Sequence, residues 1–338
     1  MVSMKDIAAA CSVSVATVSK ALNDHSDIGE ETKARIRQTA KDMGYHPNSS
    51  ARTLKTNKSY NLGVLYKEKT GSGLAHEYFS QILEGFRREA EHQGYDITFL
   101  SNSKSRKNRM SFLDHSLYRG MDGVIIAVAD YNDPEVIELL NSELAVVCID
   151  YVFNGRISVM SDNEEGMSTL LQHIYDKGHR RIAYIYGDDS LVTSNRISTY
   201  YQFLDRNGLE FREEYLQKGK YRDSIAANTI TQMLLDLKEP PTCIVYADDF
   251  SAIGGINYLK NKGINVPHDI SVAGYDGIVM ASQLQPQLTT YKQDTIHIGQ
   301  LAAIQLISLI EKPKATIIKQ YLTKGNLIEG GSVARLQV

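Results

Sequence analysis

The sequence predicts an α/β protein with an N-terminal three-helix head and a larger, two-lobed, doubly wound core. Residues 1–47 carry short amphipathic helical patterns, whereas from residue 60 onward short β-branched runs alternate with helical segments. The length of 338 residues also exceeds what one ordinary hydrophobic core accommodates, so two or three folded units are expected.

The head begins with two helical patterns, over residues 4–11 and 15–22, which are separated by a break at 12–14. Ser14 is a good N-cap for the second helix, because its hydroxyl can accept a hydrogen bond from a free backbone N–H of the first turn. Val18 and Leu22 lie on the inward face of this helix.

A third helical pattern follows the loop at residues 23–27. Glu30 and Glu31 open it, since acidic side chains favour the positive end of a helix, and Gly44 is a natural stop after Met43. Three short helices with a tight turn between the first two are typical of a helix-turn-helix, whose second helix enters the major groove of DNA. A generic three-helix bundle with no DNA role is the alternative that the pattern leaves open.

The charge of the chain is unevenly distributed. Within a formal net charge of −3, residues 1–59 hold nine Lys/Arg and six Asp/Glu, so the head is net basic and the remaining chain is net acidic. A cationic head suits the phosphate backbone of a nucleic acid, and an anionic body discourages adhesion of the rest.

Residues 48–59 form a basic, polar stretch in which Leu54 is the one large apolar residue. The stretch is predicted to be a linker that can form a turn or two of helix after Pro47, although an isolated helix of this length is only marginally stable. Leu54 is unusual there, because a linker offers no core in which to bury it.

Seven apolar runs of the core are predicted to be strands because most are rich in β-branched residues and too continuous for a one-sided sheet. These runs are 62–66, 97–100, 123–128, 145–149, 182–186, 243–247 and 270–274. The helical segments between them often end in glycine just before the next run. Repeated helix–glycine–strand units predict doubly wound sheets in two lobes.

Ligands of such sheets gather beyond the carboxyl ends of the strands. The candidate residues near these positions are Tyr78, Phe79, Asp150, Arg196, Tyr221, Asp248, Asp249 and Asp276. Carboxylates and a guanidinium facing one cleft, with aromatic faces beside them, fit a neutral polyol such as a sugar better than an anion. The alternative for each aspartate is a cap of the following helix.

Several stretches of the chain have the composition and spacing of one family. They read MKDIA at 4–8, VSVATVSKALN at 13–23, GYHPN at 44–48 and ARTL at 51–54, then DNEEG at 162–166, KGHRRIA at 177–183, GYD at 274–276 and LTTYKQ at 288–293. Together they resemble the LacI/GalR repressor family over nearly the full length.

The resemblance implies that the linker becomes a hinge helix on operator DNA, paired with that of a second subunit, and that Leu54 wedges into the minor groove. Val15 and Ala16 are similar to the base-selecting pair of galactose-type repressors. Lys20 stands where arginine is usual, which puts the base preference of that contact in doubt.

The implied DNA-contacting residues are Met4, Lys5, Ser14, Val15, Ala16, Thr17, Ser19, Lys20, Asn23, Tyr45, Asn48, Ala51, Arg52, Leu54 and Lys55. The implied effector-binding residues are Tyr78, Phe79, Asp150, Arg196, Tyr221, Asp248, Asp276 and Gln293. Three positions depart from the family pattern: Thr199 replaces a usual glycine, Asp248 a common asparagine and Gly277 a second acid. The extra acceptor at Asp248 again favours a hydroxylated, neutral effector.

The resemblance also implies a periplasmic-binding-protein-like core and a division of the chain into segments. The expected segments are a helix-turn-helix at 1–47, a hinge at 48–59, a first core subdomain at 60–161 with 291–321, and a second at 162–290 with 322–338. We expect a homodimer that binds double-stranded operator DNA and a small effector, with a galactose-like mono- or disaccharide favoured. Whether that effector induces or corepresses, and whether a phosphoprotein takes part, stays open.

No catalytic motif is found: the sequence lacks a nucleophile elbow, a phosphate-binding loop, a dinucleotide fingerprint and metal-ligand spacing. We therefore expect no enzyme activity, no cofactor and no metal. No apolar run approaches the roughly 18 residues of a membrane span, and a secretion signal is not evident, so a cytoplasmic, nucleoid-associated protein is expected. The three cysteines are predicted to be buried, free thiols. The rival interpretations are a sugar receptor without a DNA role and a sugar-active enzyme.

Overall fold

The computed structural model describes residues 2–46, 58–67, 71–101 and 110–336. The chain forms two compact units, Met1–Ser59 and Tyr60–Val338. Among the described residues, none of the helices has the length and apolarity needed to cross a membrane.

The α-helices are α1 Met4–Cys11, α2 Val15–Leu22, α3 Glu30–Asp42, α4 Glu77–His92, α5 Phe112–Tyr118, α6 Pro134–Asn141, α7 Asn163–Asp176, α8 Leu191–Arg206, α9 Ser224–Leu235, α10 Asp249–Asn261, α11 Val279–Ser282 and α12 Thr295–Glu311. The strands are β1 Asn61–Tyr66, β2 Asp96–Phe99, β3 Gly123–Val128, β4 Ala145–Ile149, β5 Ile157–Ser161, β6 Ile182–Tyr186, β7 Leu216–Lys218, β8 Cys243–Tyr246, β9 Ser271–Asp276, β10 Thr289–Lys292, β11 Gln320–Thr323 and β12 Asn326–Ile328. The described residues also contain two 3₁₀ turns, Gly73–Ala75 and Glu213–Tyr215.

The head is a three-helix unit whose bounds confirm the three predicted helices. Ile7, Val18 and Ile36 are fully buried, one from each helix, and form its core. Ser14 caps α2 as predicted, since its hydroxyl accepts a hydrogen bond from the Thr17 N–H at 3.0 Å. The predicted hinge at 48–59 lies outside the described residues except for its last two.

The core contains two six-stranded sheets with helices on both faces. The first sheet has the order β11-β5-β4-β3-β1-β2, all parallel, and the second has the order β12-β10-β9-β8-β6-β7. In the second sheet β12 alone runs antiparallel, beside β10, among the described strands. Helices cover each sheet because a parallel sheet is apolar on both faces.

Apolar residues fill both faces of each sheet. In the first lobe α4 and α12 pack together on one face, and α5 and α6 cover the other. In the second lobe α7 and α8 cover one face, and α9 and α10 cover the other. The predicted two-lobed, doubly wound architecture is therefore confirmed.

The segments that cross between the sheets differ slightly from the expected ones. The predicted boundary between 290 and 291 falls inside β10, whose four residues all lie in the second sheet. The predicted boundary between 321 and 322 falls inside β11, which pairs with β5 in the first sheet through Thr323. The chain thus passes between the sheets at least two residues later than expected at both points, because β10 and β11 each stay paired in their own sheet up to their last residue.

Cys11, Cys148 and Cys243 are free and buried, as predicted. Burial raises the pKa of the Cys148 thiol to about 12, so this group is a neutral apolar side chain at physiological pH.

Candidate functional site

The exposed end of α2 is the first candidate site. Val15 is 41% exposed, Ala16 and Lys20 are also exposed, and Thr17 and Ser19 are half-buried beside them. Because Ser14 satisfies the N–H of Thr17, this helix end is ordered before any partner arrives. The side chains on this surface are small or polar, and none is bulky and apolar, which suits a helix that inserts into a groove.

Lys20 and Asn23 already have local partners on this surface. The ammonium of Lys20 pairs with Asp27, and this ion pair lowers the pKa of Asp27. Asn23 donates its Nδ2–H to the Ser19 carbonyl at 2.7 Å, at the end of α2. Lys20 must exchange Asp27 for a base or a phosphate if it contacts DNA, which costs little because both side chains are about half exposed.

The remaining predicted DNA contacts divide into two groups. Lys5 is exposed, and Met4 and Tyr45 are half-buried, with Met4 and Tyr45 packed against the head core. Asn48, Ala51, Arg52, Leu54 and Lys55 lie outside the described residues.

The second candidate site is a cleft in the core, and its first-lobe wall is built by Tyr78 and Asp150. Tyr78 lies in the first turn of α4 and donates its hydroxyl to Asp150 Oδ2 at 2.6 Å. Phe79 packs edge-on against the Tyr78 ring at a centroid distance of 5.0 Å. Asp150 directly follows β4 and has a left-handed backbone, with φ +54°. Such backbone strain in a non-glycine residue is concentrated at functional sites.

Arg196, on α8, is the central residue of the second-lobe wall. Its side chain is 3% exposed, and its guanidinium lies 3.6 Å from the Tyr275 ring centroid. Nε donates to Asn163 Oδ1 at 2.8 Å, and Nη1 donates to the Ala247 carbonyl at 3.0 Å. These contacts fix the guanidinium plane, so its remaining N–H groups are held in one direction. Sequence analysis did not identify Asn163, whose position as the first residue of α7 gives no chemical signal.

Asp276 ends β9 in a strained conformation, with φ +110°. Gln293 donates its amide N–H to Asp276 Oδ1 at 2.7 Å. Burial raises the pKa of Asp276 to about 7, although the Arg196 charge opposes the rise. The carboxyl therefore changes charge near physiological pH.

The charge of Arg196 reaches aspartates of both walls. Burial raises the pKa of Asp150, and the Tyr78 hydrogen bond and the Arg196 charge oppose that rise. Asp248 and Asp150 in turn both raise the pKa of Asp276. Tyr78, Asp150, Arg196, Asp248 and Asp276 therefore form one buried cluster of interacting groups, drawn from both lobes.

The two adjacent aspartates after β8 have different roles. Asp248 is the N-cap of α10: Oδ1 accepts from the Ser251 N–H at 2.8 Å and Oδ2 from the Arg222 N–H at 2.8 Å. Asp249 is fully buried and accepts from the Thr290 hydroxyl at 2.6 Å and from the Ile278 N–H at 2.9 Å. The capping alternative therefore applies to Asp248. Asp249 has a structural role, because it links the Ile278 backbone to Thr290.

Tyr221 closes one side of the second-lobe wall. Its hydroxyl lies 2.8 Å from Thr193 Oγ1, and its ring covers Gly187 so closely that a Cβ there would lie 2.3 Å from Cε2. Thr193 and Gly187 were not predicted, because their role depends on contacts with Tyr221, which lies about 30 residues further along the chain.

Arg222 is a further cleft neighbour that sequence analysis missed. Its backbone is left-handed, with φ +56°, and its guanidinium lies 4.6 Å from the Phe250 ring centroid. Among the described residues, its buried Nε and the buried Asp150 Oδ1 have no hydrogen-bond partner. Buried groups in this state are uncommon, and hydroxyls of a bound ligand can satisfy both. The described residues contain no His/Cys/Asp/Glu group that could hold a metal ion.

Comparison with known proteins identifies both parts of the chain. Residues 3–48 match the profile described as "Bacterial regulatory proteins, lacI family", and residues 171–333 match "Periplasmic binding protein-like domain". The probable HTH-type transcriptional repressor ExuR of Bacillus subtilis (strain 168) is 30% identical over 340 aligned positions, which span 99% of each chain. The chain belongs to the LacI family of bacterial regulatory proteins. It is therefore a DNA-binding transcriptional repressor with an effector-binding core, as predicted.

Two solved structures, both determined with bound ligands, show that this LacI-family member shares their fold. The lac repressor dimer bound to operator and the anti-inducer ONPF superposes with a TM-score of 0.83, at 24% identity, over 98% of this chain and 99% of that one. The CelR–cellobiose complex gives a TM-score of 0.70, at 22% identity, over 98% of this chain and 100% of that one. These likenesses confirm the predicted fold class.

Proposed function

We propose that this repressor works as a homodimer, binds a galactose-type, pseudo-palindromic operator, and responds to a neutral mono- or disaccharide held between its lobes. A galactose-like sugar is favoured. It acts in the cytoplasm at the nucleoid, with no catalytic turnover and no cofactor. The head at 1–47 reads DNA, the hinge at 48–59 transmits the signal, and the two core subdomains bind the effector.

The observation that carries the effector proposal is the balance of donors and acceptors in the cleft. Arg196 offers fixed donors, while Asp150 and Asp276 offer acceptors on facing walls. A polyol both donates and accepts, so it can satisfy the two sets at once, whereas an anion meets repulsion from the carboxylates. The aromatic faces of Tyr78 and Tyr221 suit the apolar face of a sugar ring.

The relatives support this effector class. The CelR structure contains the disaccharide cellobiose, and the lac repressor structure contains operator DNA with a small anti-inducer. Both ligand classes match the two candidate sites of this chain.

The operator proposal rests on the exposed first residues of α2. Val15 and Ala16 are small and apolar, so they can lie against a thymine methyl group but cannot form the bidentate contacts of larger polar side chains. We propose that Tyr45, Met4 and Lys5 support this helix at the phosphate backbone, with the hinge set from Asn48 to Lys55 in the minor groove.

Effector and operator are coupled through the lobes. Each lobe arrangement has its own affinity for the effector and its own spacing of the paired heads, so an effector shifts operator occupancy only by its differential affinity for the arrangements. The sign of the response then identifies the sugar as inducer or corepressor.

An electrophoretic mobility shift with a galactose-type palindrome tests the proposal. We expect specific binding, which an excess of a scrambled duplex of equal composition does not displace. We also expect that Val15→Gln lowers operator affinity without unfolding the head. A thermal-shift panel of mono- and disaccharides is expected to raise the melting temperature with one sugar class. Absence of binding even at low salt, where phosphate contacts are strongest, would overturn the operator assignment. A panel without any shift would overturn the sugar assignment.

A further inference from the structure

The loop of residues 276–279 connects β9 to α11 and carries the cleft carboxylate Asp276 at its start. Its first two residues have left-handed backbones, with φ +110° at Asp276 and +72° at Gly277. A Cβ at Gly277 would lie 2.4 Å from the Lys292 Cβ, so the loop runs tightly against β10. The position of Asp276 therefore depends on what holds this loop.

Its own lobe holds the loop through Asp249. The Ile278 N–H donates to Asp249 Oδ2 at 2.9 Å, and the Thr290 hydroxyl donates to Oδ1 of the same carboxyl at 2.6 Å. Asp249 thereby ties the loop to the start of α10 and to β10.

The opposite lobe holds the loop through Glu77. Glu77 Oε1 accepts a hydrogen bond from the Val279 N–H at 2.7 Å, although 202 positions separate the two residues. Glu77 is the first residue of α4, and the next residue is Tyr78, which binds Asp150. One bond thus joins the backbone beside Asp276 to the backbone beside the Tyr78–Asp150 pair.

Apolar packing adds little at this contact. The side chains of Val279 and Met280 are 62% and 55% exposed. A charged acceptor on a backbone N–H is a strong hydrogen bond, so it can dominate the local contact between the lobes.

We propose that Glu77 is a positioning residue of the effector cleft: it latches the 276–279 loop to the first lobe and so couples the placement of Asp276 to lobe closure. The assignment of Asp276 to the effector rests on the proposed function, whereas the latch itself does not. Because the bond spans the two lobes, it stabilises the arrangement in which both cleft walls meet.

Hydrogen exchange in the full-length protein tests the latch without any ligand. We expect Glu77→Ala to speed exchange in a peptide that covers the Val279 amide by about tenfold. Glu77→Gln keeps a carbonyl acceptor and restores most of the protection. Glu164→Ala, which removes an exposed first-turn glutamate from α7 in the other lobe, serves as the matched control for loss of a helix-end charge. Unchanged exchange in Glu77→Ala, or an equal change in the control, would overturn the latch.

A second variant removes the donor instead of the acceptor. Val279 is the first residue of α11, and Ile278 before it is extended, with φ −66° and ψ 152°, so proline fits there and takes away the N–H. If the two groups form one latch, Glu77→Ala in the Val279→Pro background lowers the melting temperature no further. Additive losses would show that each change acts on its own lobe and would overturn the proposal.

The two proposals fail in different ways. If no sugar shifts the melting temperature but exchange at Val279 still depends on Glu77, the latch stands and the effector class is wrong. If a sugar binds and exchange is independent of Glu77, the effector class stands and the latch is wrong.

Discussion

The end of α2 that is proposed to read DNA and the proposed effector cleft are built on opposite physical principles. Val15, Ala16 and Lys20 lie in solvent, and the one ion pair described for them, Lys20–Asp27, is about half exposed. Arg196 and Asp150, by contrast, are surrounded by fixed partners, and Asp150 has a strained backbone.

The contrast indicates how each site gains its affinity. An exposed basic surface gains affinity largely by releasing counterions from DNA, so salt controls it. A buried cluster of one guanidinium and several carboxyls is shielded from salt but sensitive to protons. Salt and pH therefore separate the two regions within one protein.

Arg196→Ala is expected to give the largest effect, and it tests the cleft side of this comparison. Removal of a buried guanidinium leaves Asn163 Oδ1 without its donor and the cleft carboxyls without their neighbouring positive charge, so affinity for the sugar that gives the largest thermal shift should fall by about 100-fold or more. Operator affinity without the sugar should change by less than about threefold, because Arg196 lies in the core unit.

Arg206→Ala is the matched control for this variant. Arg206 is exposed in the last turn of the same helix, so its loss removes an equal charge outside the cleft. Calorimetric titration with the sugar and a mobility shift give both readouts. An Arg196→Ala protein that still responds normally to the sugar would show that the effector binds elsewhere.

A pH titration is expected to give the next largest effect. Because burial raises the pKa of Asp276 to about 7, the folded core keeps a proton there that the unfolded chain releases near its ordinary pKa of 3.8. Stability from this group is therefore present in acid and is lost as the pH rises through 7. Asp276→Asn removes that loss. Between pH 5 and pH 8, the unfolding free energy of the parent should therefore fall by on the order of 2–4 kcal/mol relative to that of the variant.

The comparison with the asparagine variant measures the Asp276 charge together with its coupling to Asp150, Asp248 and Asp249, whose carboxyls are present in both proteins. Urea unfolding at both pH values measures the difference. In the parent, sugar affinity should also rise from pH 6 to pH 8, since an ionised carboxylate is the better acceptor for a hydroxyl. Parallel pH profiles for the two proteins would contradict the assigned pKa.

Long patterns in the sequence predicted most of the fold. The seven β-branched runs correspond to strands β1–β4, β6, β8 and β9 to within two residues at each end, and the three head helices agree in their bounds. The strands that were missed are β5, β7 and β10–β12. Most of these are only three or four residues long and contain polar residues, so pairing with a neighbour makes them strands, not their own composition.

The candidate cluster was predictable where the sequence places polar residues at or just beyond the end of a strand. Asp150 and Asp276 stand at such positions, and Arg196 was found from its place after β6. Asn163, Thr193 and Arg222 were missed because each acts through a partner far away in the chain: Arg196, Tyr221 and Asp248. Sequence-local reasoning also could not separate Asp248, which caps a helix, from Asp249, which ties down a loop.

Ser14→Ala is expected to give the smallest effect, and it acts on the head side of the comparison. The Ser14 hydroxyl accepts from the Thr17 N–H at 3.0 Å, and loss of such a cap costs about 1 kcal/mol. Hydrogen exchange across residues 15–22 should accelerate about fivefold, whereas exchange in the core and affinity for the sugar should not change. Ser26→Ala, in the exposed loop after α2, is the control.

Ser14→Asp separates the capping role of Ser14 from its predicted contact with DNA. Aspartate caps a helix as well as serine does, so protection of residues 15–22 should return to the parent level. Its charge repels phosphate, however, so operator affinity should fall further than in Ser14→Ala, most clearly at low salt. If operator affinity instead followed helix protection in both variants, Ser14 would act on DNA only by holding α2 together, and the exposed residues after it would carry the whole contact.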